Sequence, residues 1–159
     1  MPINEAFADG LTERGTRLAS NSRVLLTSTS SDAHTWNLVF LQLLMTEHGH
    51  EVHNLGACVP VELLVSEPLR IRPDMLVLSS VNGHGLLDGR RAIRAIRRVP
   101  ALDAVLAVLG GKLTTNGALS TAQWRALRSA GFDAVFTGDT AVERFRRLLT
   151  PAAAPAATA

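Results

Sequence analysis

The chain has 159 residues, 47% of them hydrophobic and 19% charged, with a formal net charge of +2 at pH 7. That is one domain's length with apolar residues enough for a core, which excludes a disordered chain. The small charge and the absence of tyrosine exclude an electrostatic or base-stacking footprint for nucleic acid.

No apolar run approaches the roughly 18 residues of a membrane span, so no membrane partner is expected. The first residues have neither the basic start nor the apolar stretch of a secretion signal. A single cysteine, Cys58, allows no internal disulfide, so a cytoplasmic location is expected.

Residues 1–22 read as a partly helical arm weakened by Gly10 and Gly15. Arg23 to Thr27, with Val24-Leu25-Leu26, predicts a strand buried on both faces. Leu38, Leu41, Leu44 and Met45 share one helical face, so a helix is expected over 38–48, stopped by Gly49. A second strand covers 51–55. A short helix follows over 61–66, with Pro68 and Pro73 as punctuation. Met75 to Leu78 is strand three, Leu86 to Arg98 helix three, and Ala104 to Leu109 strand four. Thr121 to Ser129 is helix four, Ala134 to Phe136 strand five, and Ala141 to Leu149 the last helix. The arginines at 90, 91, 94, 97 and 98 are expected to paint a solvated face of helix three, with a docking surface as the alternative. Residues 150–159 form an Ala/Pro-rich tail, expected to be disordered. The domain therefore runs over 23–149.

Five strands alternating with five helices call for a parallel sheet covered on both faces. At this length the expected fold is α/β, flavodoxin-like and doubly wound, in strand order 2-1-3-4-5. Its ligand site should lie at the carboxyl ends of strands one and three. The informative residues follow the strands. Asp32, Ala33, His34, Thr35, Trp36 and Asn37 follow the first. Ser79, Ser80, Val81, Gly83 and Gly85 follow the third, Gly110 and Gly111 the fourth, and Gly138 and Thr140 the fifth. A carboxylate two residues from an imidazole can take the proton on one ring nitrogen and leave the other for a metal. Glycines at the same rim let backbone approach something large and flat. A satisfied loop histidine remains the plainer reading of His34 taken alone.

Taken together, Asp32-x-His34-x-x-Asn37, Ser79-Ser80-Val81 and Gly110-Gly111 resemble the signature of the cobalamin-binding domain family, Asp-x-His-x-x-Gly, Ser-x-Leu and Gly-Gly. Within it the chain is most similar to the small subunits of methylaspartate (glutamate) mutases, over about residues 23–149. The resemblance implies adenosylcobalamin as cofactor, bound with its own base detached. His34 would be the cobalt ligand, with Asp32 holding its other nitrogen. Ser79 and Ser80 would line the channel for the nucleotide tail, Gly110 and Gly111 would let the tail lie along the backbone, and Gly138 and Thr140 would close its far end. It further implies an isomerase component that presents the cofactor to a separate, barrel-shaped large subunit, forms a hetero-oligomer with it, and is inactive alone. Asn37 departs from the motif glycine; asparagine tolerates positive φ, so the turn is expected to survive. Trp36 would pack on the corrin edge or against the first helix.

Rival readings remain. A stand-alone cobalamin carrier or regulatory binder uses the same domain, although about 22 residues ahead of strand one are too few for the four-helix cap such proteins carry. A flavodoxin-like flavin binder would explain the Ser/Thr-rich 27–31 stretch but lacks sandwiching aromatics. A phosphorylation receiver needs an aspartate where Ser79 and Ser80 stand. Zinc at His48, His50 and His53 requires three histidines that straddle a helix end and a strand. Cys58 is read as a buried or inert thiol.

Overall fold

The computed structural model describes residues 18–151. Most of the arm and of the tail therefore lies outside the described residues. Five strands form one sheet: β1 Arg23–Ser28, β2 Glu51–Asn54, β3 Met75–Ser80, β4 Leu106–Gly111 and β5 Ala134–Phe136. Every neighbouring pair is parallel and the order is β2-β1-β3-β4-β5, as the alternation required. The connecting helices are α1 Trp36–Glu47, α2 Val61–Ile71, α3 Gly85–Arg97, α4 Thr121–Ala130 and α5 Ala141–Leu149.

The sheet separates two cores because successive side chains point to opposite faces. Leu25, Leu76, Leu78, Ala107 and Leu109 pack with α2, α3 and α4. Val24, Leu26, Met75, Val77 and Val108 pack with α1 and α5. Leu25, Leu26, Leu76 and Leu78 are fully buried, and each contributes about 1.5–3 kcal/mol. Apolar positions on both faces are why these strands read as continuous runs instead of alternating ones.

Several boundaries differ from expectation. Helix α2 runs through Pro68 to Ile71 instead of stopping at Ser66. Proline costs the helix one N–H bond, and burial of Leu64, Pro68 and Ile71 against the sheet carries it onward. It ends at Arg72 in the left-handed conformation, φ 54°. Strand β4 begins at Leu106, two residues late, and takes in Gly110 and Gly111. Trp36 and Asn37 belong to the first turn of α1, so Asn37 is helical and its tolerance of positive φ is not used.

The five arginines do not form one solvated face. Arg97 turns inward, donating to Gly131 O, Leu102 O and the Asp133 carboxylate at 2.9 Å. Asp133 also accepts from Ala107 N at 2.8 Å, so this buried pair ties α3 to the β4–β5 edge. Helix α4 starts with a reciprocal cap between Ser120 and Gln123.

Candidate functional site

The loop between β1 and α1 leaves the sheet where β1 and β3 diverge in connection, the point at which open α/β folds bind ligands. Its geometry is set by Asp32, which is fully buried. The main chain turns back on itself, with Asp32 N donating to Thr29 O. Ser28 Oγ and Cys58 N both donate to Asp32 O at 2.9 Å. The carboxylate is thus held from behind before its own oxygens bond.

One oxygen, Oδ1, accepts from His34 N at 3.0 Å and lies 2.7 Å from His34 Nδ1. The other, Oδ2, accepts from Val81 N at 2.6 Å, Ser80 Oγ at 3.1 Å and Asn82 N at 3.2 Å. Burial alone would raise the Asp32 carboxyl. The backbone N–H groups of His34 and Val81, then the His34 ring and the Ser80 hydroxyl, outweigh it and hold the carboxyl below its ordinary value. An ionised carboxylate only accepts, so a proton sits on His34 Nδ1, and in the neutral tautomer this selects, Nε2 carries the lone pair. The His34 side chain is 49% exposed. The arrangement orients the Nε2 side of the imidazole toward the rim, as a carboxylate behind a metal-ligating histidine does.

The loop after β3 locks this pair in place. Asn82 Nδ2 donates to Ser31 O and Ser31 Oγ, both at 3.1 Å, while Asn82 Oδ1 accepts from His84 N. Ser31 also donates to Asp88 of α3. Sequence reading missed Asn82, Ser31 and Asp88. The only available signal was their place on the same rim.

Beside the pair, a slot of about 190 Å³ runs between the strand ends and helices α1 and α5. At about 30 Å³ per water that is the space of roughly six waters, enough for a flat bicyclic ring. Its walls include Asn37, Phe40, Ser79, Val108, Phe136 and Phe145. A larger hollow of about 600 Å³ lies at the amino ends of the strands, against Leu18, Arg72 and Asp74. It is on the wrong edge of the sheet for an α/β ligand site.

The rim residues named from sequence divide into three groups. Asp32, His34, Ser80 and Val81 meet in one hydrogen-bonded cluster. Trp36, Asn37, Ser79, Val81, Gly110 and Gly111 line the slot. Ala33 and Thr35 are exposed on the loop, and Gly83, Gly138 and Thr140 are absent from the slot wall. Gly83 instead packs on Thr115 and donates to Lys112 O. Ser80 serves Asp32, not the slot. A Cβ on Gly111 would stand 2.1 Å from Ser80 O, so that glycine is required by the approach of β3 itself. Trp36 is 64% exposed and stands at the slot wall.

The three clustered histidines point to three different partners. His48 bonds to Leu44 O, His50 to Leu149 O and His53 to Glu51, and no metal-binding group of this kind stands among the described residues. Cys58 is exposed, not buried, in a left-handed turn with φ 52°. No described helix is long and apolar enough to cross a membrane.

A profile described as the B12 binding domain matches residues 22–146. A glutamate mutase sigma subunit from Carboxydothermus hydrogenoformans is 32% identical over 113 residues, covering 71% of this chain and 82% of that one. One from Treponema denticola is 27% identical, covering 79% and 90%. Among solved structures, a cobalamin-binding protein from Desulfitobacterium hafniense superposes with TM-score 0.63 at 19% identity over 79% of this chain and 57% of its own. The monomethylamine corrinoid protein of Methanosarcina barkeri gives 0.64 at 19% over 80% and 56%. A LuxR-family response regulator from Aurantimonas sp. gives 0.58, also at 19% identity, over 82% and 86%. At these identities the solved structures share the fold with this chain.

Proposed function

Because the chain belongs to the B12-binding domain family, we propose that it is the cofactor-presenting small subunit of an adenosylcobalamin-dependent carbon-skeleton mutase of the glutamate mutase kind. The observation that carries the reading is the buried Asp32 carboxylate 2.7 Å from His34 Nδ1, which leaves Nε2 as the ligand nitrogen at the rim. The residues present fit a corrinoid. A neutral imidazole suits cobalt, and the apolar slot beside it suits a nucleotide base that has left the metal.

In this reading His34 Nε2 would be the protein nitrogen that holds the cobalt. Asp32 keeps the proton on Nδ1 and sets the basicity of the ring. Ser79, Asn37, Gly110 and Gly111 would receive the nucleotide tail, while Ala33, Thr35 and Trp36 would border the corrin edge. Gly83, Gly138 and Thr140, away from the slot wall, shape the surrounding rim. When bound, adenosylcobalamin supplies a weak cobalt–carbon bond whose homolysis starts a radical rearrangement. Substrate recognition falls to a separate, barrel-shaped large subunit, and the chain alone is inactive. Trp36, Val39, Phe40 and Leu43 leave an apolar stripe of α1 exposed next to the rim, which supports a partner surface there.

The test is spectroscopic and enzymatic. Adenosylcobalamin added to the protein is expected to show the base-off, histidine-ligated spectrum, and His34→Ala to lose it. Addition of a glutamate mutase large subunit is expected to give turnover with the wild-type chain. Binding with the cofactor's own base still on cobalt would refute the ligand assignment.

A further inference from the structure

Helix α3 buries Gly85, Gly89, Ala92, Ile93 and Ile96. At about 100° per residue, the line opposite that face runs through Leu87, Arg91, Arg94 and Arg98. Leu87 is 65% exposed, and the three arginines are exposed as well. Among the described residues none of the three makes a side-chain hydrogen bond or ion pair. Their surroundings do not neutralise them. Helix α3, its cap Arg98 and helix α4 carry arginines at 90, 91, 94, 97, 98, 125 and 128 against a single acid, Asp88. Asp88 accepts from Ser31, and Arg97 is held by Asp133. On α2, which packs against α3, Arg70 takes Glu67 and Glu62 stands in the first turn. The whole chain carries only +2, so the residues outside this face are net acidic. Like charges three and four residues apart oppose a helix. A place near the carboxyl end offsets part of that for Arg94 and Arg98, but not for Arg91 in mid-helix.

We propose that the row Leu87, Arg91, Arg94 and Arg98 docks an acidic segment of the large catalytic subunit. The inference rests on the reading above, that such a subunit covers the rim. Helix α3 starts at that rim. Ser80 and Asn82 ahead of it bond to Asp32, and Asp88 in its first turn bonds to Ser31. Leu87 therefore stands near the His34 loop, on the opposite face of the sheet from the apolar stripe of α1. A subunit that caps the rim meets apolar side chains on both faces, and along α3 the contact continues onto the arginines. From Arg91 to Arg98 the row spans about 10 Å, two helical turns. Carboxylates repeating every three or four residues along a partner helix match that spacing. A second copy of this chain would meet the row with the same charge in a two-fold contact. The row holds no aromatic side chain on which a base could stack, which favours protein carboxylates over nucleic acid.

Sedimentation of the full, adenosylcobalamin-loaded chain with its cognate large subunit gives the affinity, and turnover gives kcat at saturation. Arg91→Glu, Arg94→Glu and Arg98→Glu combined are expected to weaken association at least about tenfold at low ionic strength. The spectrum of the bound cofactor and kcat at saturation should not change. The corresponding triple change to Gln, which removes attraction without adding repulsion, should lie between. Raising the ionic strength from about 0.01 M to about 0.15 M shortens the screening length from about 30 Å to about 8 Å. Wild-type association should then weaken, and that of the Glu variant should strengthen. Circular dichroism checks the fold, and the salt comparison on the wild type needs no variant. Association as tight in the Glu variant as in the wild type, or wild-type association that ignores salt, would overturn the inference. Both results would leave His34 ligation and the partnership standing. A wild-type chain that binds the cofactor but forms no complex with the large subunit at either ionic strength would overturn the functional reading itself and the inference with it.

Discussion

Replacement of Asp32 by asparagine keeps the shape of the side chain and removes one acceptor. If the amide oxygen faces His34, the NH₂ group points at Val81 N and Asn82 N, two donors now without an acceptor. If the amide is turned, its NH₂ faces His34 N and can donate to Nδ1, which forces the ring proton to Nε2 and blocks ligation. The first arrangement strands two half-buried N–H groups at about 1–3 kcal/mol each, or about 2–6 kcal/mol together. For a domain of this size that is a melting temperature lower by roughly 5–20 °C.

The loss has a pH signature. The folded-state pKa of Asp32 is depressed. The stability it contributes is therefore complete above the unfolded value, about 3.9, and disappears as pH falls through the lower folded value. The gap between wild type and Asp32→Asn should hold at neutral pH and narrow below about pH 4. Cobalamin affinity at neutral pH should fall about 10–100-fold. Thermal melts across pH and absorbance titrations measure both effects. An Asp32→Asn protein that melts with the wild type, or a gap that stays constant into acid, would refute the reasoning.

Asn82→Asp keeps the oxygen that accepts from His84 N but loses both donations to Ser31 and adds a second carboxylate near Asp32. Cobalamin titration should show binding about tenfold weaker. Gly111→Ala puts a Cβ at 2.1 Å from the Ser80 carbonyl at φ 118°, and urea unfolding should show a loss of about 3 kcal/mol or more. Arg97→Met removes the guanidinium from the buried Asp133 carboxylate. The same measurement should show a loss of about 3–5 kcal/mol with the cobalamin spectrum of the folded protein unchanged.

Much of the frame was legible because it depends on local pattern. The apolar runs at Val24, Met75 and Val135 fall in strands, and their alternation with helices dictated a parallel sheet in the order observed. Asp32 and His34 were legible for the same reason, since partners two residues apart need no tertiary knowledge. The rest depends on contacts distant in sequence. Val81 and Asn82 meet Asp32 across 49 and 50 residues, and no spacing rule announces that a backbone N–H will serve a distant carboxylate. Arg97 sits on a periodic basic face, yet Asp133, 36 residues away, draws it inward. Pro68 carried a true local signal for a break, which packing of α2 on the sheet overrode. The Gly-Gly pair was recognised by motif, but the reason for Gly111, a carbonyl of the neighbouring strand against its α-carbon, becomes visible only once β3 and β4 are paired.

The most direct measurement is the electron paramagnetic resonance spectrum of reduced, cob(II)alamin-loaded protein made with histidine carrying the heavy nitrogen isotope of spin one-half. If His34 is the axial ligand, the nitrogen splitting should change from a triplet in unlabelled protein to a doublet in labelled protein, and His34→Ala should lose that doublet. A triplet that persists in the labelled wild-type protein would mean that a nitrogen of the cofactor's own base sits on cobalt, and the imidazole beside Asp32 would not be its ligand.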